Sequence, residues 1–192
     1  MEFKLISKIV NGIKGGVKSS MEGATDIATT IVGVIKTLTI TTLKETTEFV
    51  KEGIQVPASI VKGAIEGVSE IGASVIKSAK GIVSGTVQGA MQAGVKQEEA
   101  VKGAVAQTIR SASELGEDTI GIAVEAVKGA IKGVKETGGS TLDATRQAIV
   151  AAIEAAQDIS TEVADNIKST LKISVDGAKE VFDQLKKEEP VS

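Results

Sequence analysis

Three serine–lysine neighbours, Ser74/Lys77, Ser78/Lys80 and Ser169/Lys172, are side chains whose types and spacing could suggest nucleophilic chemistry. A lysine beside a serine can act as its base when a pocket depresses the lysine's pKa. The chain has no histidine and no cysteine, so the commonest general base, thiol nucleophiles and zinc–thiolate sites are excluded. The carboxylates Glu98/Glu99 and Glu114/Glu117/Asp118 fall where helix starts and polar faces are expected, positions that favour the helix dipole or solvent. The glycine-rich runs at Gly12 to Gly16 and Gly138/Gly139 lack the preceding strand of a phosphate loop, and no calcium-loop pattern occurs. The expectation is a non-enzymatic protein without metal or cofactor.

What positions all of these residues is a repeat. Gly72, Gly94, Gly116 and Gly138 stand 22 residues apart, and residues 51–182 fall into six rows of that length. The eleventh place of each row reads Val61, Val83, Val105, Val127, Ile149, Leu171, and the fifteenth reads Ile65, Val87, Ile109, Ile131, Ile153, Val175. The spacing of three and four matches an α-helix, so each row is one amphipathic helix with these residues on its apolar face. Beside that face runs a flank of small residues that lets another helix backbone approach closely. Its pairs are Gly63/Gly67, Gly85/Gly89 and Gly129/Gly133, and Gly177 follows in the last row. Lys62, Lys80, Lys102, Lys128, Lys168 and Lys172 border the other side.

Gly72, Gly116 and Gly138 read as C-terminal caps, with Ser74, Asp118 and either Ser140 or Thr141 as the N-caps that follow. Gly94 is followed by no cap residue. The expected fold is all-α: tandem 22-residue amphipathic helices in an antiparallel bundle or elongated array. Long continuous helices that tolerate the glycines use the same pattern and form the alternative.

Residues 1–50 read as N-terminal helices, 51–182 as the repeats and 183–192 as a disordered tail. In the first part, residues 3–22 are amphipathic and basic, a pattern that suits a bundle helix or an anionic membrane surface. Residues 24–43 are the most apolar stretch, with Lys36 the only charge between Asp26 and Lys44. An all-round buried helix is expected there, with a membrane span or a strand as alternatives. Pro57 marks a first helical turn or a kink.

Basic and acidic residues number 22 and 25, for a net charge of −3. That balance offers no field for a phosphate backbone, so nucleic acid is not an expected partner. The opening lacks the pattern of a secretory leader, so the expected address is cytoplasmic.

The stretches KGAIEGV, KQEEAVKGAV and KGAIKGVKETGG resemble the amphipathic 11- and 22-residue repeats of lipid-surface proteins: apolipoproteins, synucleins and perilipins. The resemblance implies reversible binding to a membrane, lipid droplet or storage granule. Two functions therefore stand as expectations. One is a scaffold that self-associates as a homo-oligomer through its small-residue faces, and the other is a peripheral coat on a lipid, membrane or granule surface.

Overall fold

The structure, a computed structural model, describes residues 2–45 and 56–188. Among the described residues it contains nine helices and no strand: α1 (Glu2–Met21), α2 (Ile27–Glu45), α3 (Val56–Glu70), α4 (Val75–Gln92), α5 (Gln97–Glu114), α6 (Thr119–Glu136), α7 (Thr141–Gln157), α8 (Thr161–Ser174) and α9 (Ala178–Glu188). Helices are broken at the glycines, and the continuous-rod alternative is not what forms.

Four corners use the same device. Gly72, Gly94, Gly116 and Gly138 adopt φ between 71° and 92°, a region that glycine enters without steric cost. The residue after each, Ala73, Val95, Glu117 and Gly139, donates its amide five residues back to Val68, Ala90, Ala112 and Val134. This is the Schellman closure, and it satisfies carbonyls that a helix end leaves without partners. Ser74, Asp118 and Ser140 then accept from the amides of Lys77, Gly121 and Asp143, and open the next helix. Lys96 offers no side-chain cap. There the Gln97 side chain instead spans to the next corner but one, donating to the Ser140 carbonyl at 3.0 Å and accepting from the Ser140 amide at 3.1 Å. Pro57 lies in the first turn of α3, where its missing amide has no intrahelical partner to lose.

Short corners make consecutive helices antiparallel, and the contacts sort them into two layers. The odd helices α1, α3, α5, α7 and α9 pack in sequence as one layer, and α2, α4, α6 and α8 form the other. A continuous apolar core between and within the layers runs from Ile9 to Phe182. The expected boundary near residue 50 falls among residues 46–55, outside those described. Residues 183–188 continue α9.

The all-round buried helix is α4, where every residue from Gly81 to Ala90 is buried. The expectation had placed it at residues 24–43, and that is corrected: α2 buries one stripe, Ile31, Ile35, Thr39 and Leu43. Its place explains the difference. Helix α4 has a layer neighbour on each side, whereas α2 stands at the end of its layer. Inside α4, the Thr86 hydroxyl is buried without a hydrogen-bond partner among the described residues.

Candidate functional site

The serines that could have worked with lysine are tied to backbone. Ser74 Oγ accepts the Lys77 amide, Ser78 Oγ donates to the Ser74 carbonyl at 2.9 Å, and Ser169 Oγ donates to the Asp165 carbonyl at 2.9 Å. Among the carboxylates, Glu98 pairs with Lys102, Glu114 with Lys62, and Asp118 caps α6. These groups take part in capping and in ion pairs of the array.

The small-residue flank faces inward. A Cβ on Gly63 would meet the Val10 carbonyl oxygen, and one on Gly67 would lie 3.1 Å from that of Lys14, so α3 rides on the backbone of α1. Gly85 and Gly89 sit in the same way on Val32 and Lys36 of α2, and Gly129 and Gly133 on Lys80 and Ser84 of α4. The apolar face supplies the matching ridges: Val83 and Val87 seat against Gly129 and Gly133. Places 11 and 15 of one helix thus fill the hollows at places 13 and 17 of the next helix in the layer.

Val61, Ile65, Val83, Val87, Val105, Ile109, Val127, Ile149 and Leu171 are fully buried. Ile131 and Ile153 are half-buried at the edge of the core. Two expectations are corrected. Gly177 does not pack a helix: it is a corner with φ 78°, and a Cβ there would meet open space. Helix α8 has ended at Ser174, and Val175, although buried, is extended. The Asp176–Gly177 pair, a common turn signal, could have revealed the break.

Ion pairs between helices are confined to the odd layer among the described residues. Lys14 and Lys18 of α1 both reach Glu70 of α3 at 2.9 Å, Lys62 reaches Glu114 at 3.4 Å, and Arg110 reaches Asp158 at 2.9 Å. The hydrogen bonds from Lys18 and then Lys14 hold the Glu70 carboxyl down to about 2, and Glu70 in turn raises Lys14. A carboxyl depressed in the folded state contributes stability above its ordinary value of 4.5, and that contribution is lost as pH falls through about 2. Hydrogen-exchange protection of the α1 amides is therefore expected to fall between those values. In Glu70→Gln the loss across that window disappears, and an unchanged loss would refute the link.

Between α3, α5 and α7 the odd layer opens a groove of about 450 Å³ lined by Pro57, Lys102, Gly103, Arg110 and Glu154 among others. Its charges balance. The even layer has a smaller trough of about 160 Å³ where Ala28 and Val32 of α2 meet Lys77, Lys80, Gly81 and Ser84 of α4 and Glu125 and Lys132 of α6. At the end of the same layer, Thr30, Gly33, Thr37 and Thr41 of α2 face outward, and a Cβ on Gly33 would meet nothing within 4 Å.

No protein-family model and no curated protein matches this chain. Among solved structures, the crystal structure of a de novo designed helical repeat protein, DHR7, matches with a TM-score of 0.51 and 22% sequence identity, over 93% of this chain and 95% of that one. That likeness is one of fold, and the chain is a helical-repeat array.

Proposed function

We propose that the chain is a non-enzymatic helical-repeat scaffold that self-associates, with a second copy docking on the outward face of α2. One observation carries the reading: the most apolar helix among the described residues is buried along a single stripe. The face it leaves open at the end of the array is made of small residues, Thr30, Gly33, Thr37 and Thr41, which let a second helix approach closely. The other small-residue faces, at Gly63/Gly67, Gly85/Gly89 and Gly129/Gly133, are occupied within the chain. Gly33 and Thr37 lie on the side of α2 turned away from α4, at 100° per residue from its buried stripe. Two copies of α2 crossing antiparallel bring Gly33 over Thr37 and the acidic start at Asp26 over the basic end at Lys44, so the face complements itself.

Sedimentation velocity over a range of concentrations tests this. The wild type is expected to form dimers, and Gly33→Arg, which adds a good helix former in open space, to remain a folded monomer. A wild type that stays monomeric throughout would sink the proposal.

The second reading, a peripheral protein of lipid, membrane or granule surfaces, draws on the same helix. The repeat faces at places 11 and 15 that would meet acyl chains are largely inside the core. Helix α2, however, is long and apolar enough by composition to enter a membrane. Flotation of the chain with apolar droplets, abolished by Gly33→Arg, would favour this reading over the dimer.

A further inference from the structure

The even-layer trough collects cations for which the fold supplies too few acids. Of the six lysines that border the repeat's apolar face, Lys62, Lys102, Lys128 and Lys168 pair with carboxylates, and Lys172 lies 5.0 Å from the centre of the Phe182 ring. Lys80 alone has no partner among the described residues, and it opens into the trough beside Lys77 and Lys132, which also have none. One acid lines the same space, Glu125, and its carboxylate is 3.5 Å from Lys128. With Lys128 counted, four positive charges face one negative charge. In the odd layer, by contrast, Lys14 and Lys18 reach Glu70, Lys62 reaches Glu114, and Arg110 reaches Asp158 at the end of α7.

The site is built by the packing of the layer. Gly81 lets α2 close over α4, since a Cβ there would collide with Ile31 and approach Val32. That approach brings Ala28 and Val32 up as an apolar wall beside the lysines. Beneath the lysines, the Ser84 hydroxyl is fully buried and accepts from the Gln88 side chain at 3.1 Å.

We propose that this trough binds a phosphate group, with the ammonium groups of Lys77, Lys80 and Lys132 as donors. A tetrahedral dianion accepts several charge-assisted hydrogen bonds at once and offsets charge that a single carboxylate would leave uncompensated. Glu125, held by Lys128, sets the acidic limit of the site and disfavours anions that extend toward α6. The group can belong to a free phosphate compound or to a phosphate-bearing lipid headgroup.

The test is a titration of the full chain with inorganic phosphate followed by amide NMR, beside co-sedimentation with phosphatidylcholine vesicles with and without phosphatidate. Saturable shifts at Lys77, Gly81, Ser84 and Lys132 are expected. In Lys80→Gln/Lys132→Gln, with helicity unchanged, binding weakens by about tenfold or more. Lys4→Gln/Lys8→Gln, on the exposed start of α1, should bind as the wild type does. Saturation by inorganic phosphate without vesicle retention assigns a free phosphate compound, and retention only on phosphatidate vesicles, lost in the trough variant, assigns the headgroup. Unsaturable shifts spread over all surface lysines, binding unaffected by the trough variant, or no response in either arm would overturn the proposal.

Discussion

Alanine at Gly85 or Gly129 is expected to cost about 2 kcal/mol of stability, although alanine is the better helix former by about 1 kcal/mol. A Cβ at Gly85 would lie 2.6 Å from the Val32 carbonyl oxygen and 3.0 Å from Ile35 Cβ, and one at Gly129 would lie 2.5 Å from the Lys80 carbonyl oxygen. Backbone atoms cannot rotate away, so the two helices must separate. Separation weakens dispersion contacts along the whole layer interface, and that loss exceeds the gain in propensity. The same substitution at Gly12 or Gly15, where nothing lies within 4 Å, should instead raise stability by about 0.5 to 1 kcal/mol. For a chain of this size the two classes should differ in melting temperature by several degrees, on the order of 2 to 4 °C per kcal/mol. Gly85→Ala melting no lower than Gly12→Ala would show that the layer is not set by backbone contact.

The corners were legible because they are local. A glycine with positive φ and a capping Ser or Asp need only a few neighbouring residues, so Gly72, Gly116 and Gly138 announced themselves together with Ser74, Asp118 and Ser140. The layer partners were not legible, because no period within one helix says which later helix it meets. Gly63 meets α1 and Gly129 meets α4 across some 50 residues of chain, and only the two-layer stacking brings them together. Composition likewise pointed to residues 24–43 as the buried helix. Burial, however, depends on position in the array, and threonine on the outer side of α2 tolerates water. The trough is hidden for the same reason: Lys77 and Lys80 belong to one row and Lys132 to the next but one, and their convergence is a property of packing.

The fifteenth column offers the second large effect, since one residue type at one place of the repeat should respond in two ways. Ile65→Ala is expected to cost about 3 to 4 kcal/mol, in the usual range for a buried isoleucine, and Ile131→Ala about 1 kcal/mol, in proportion to the apolar area each buries. Ile65 is 0% exposed, whereas Ile131 is only half-buried. The cause lies in what each has to sit on. In the even layer Val87 seats against Gly133, and the corresponding seat for Ile131 is Gly177. Helix α8 ends at Ser174, three residues short, so Gly177 turns the corner to α9 and the hollow is never formed. Ile153 of α7 is half-buried as well, and the helix that follows it in the odd layer, α9, has 11 residues where α7 has 17. The gradient therefore runs along the array: place 15 is sealed in α3, α4 and α5 and loosens in α6 and α7, where the terminal helices shorten. Urea unfolding of Ile65→Ala, Ile109→Ala, Ile131→Ala and Ile153→Ala would measure it, with two large losses followed by two small ones. Four equal losses would mean that the repeat period alone sets burial, and that the shortened end helices cover α6 and α7 as fully as the interior ones cover α3 and α5.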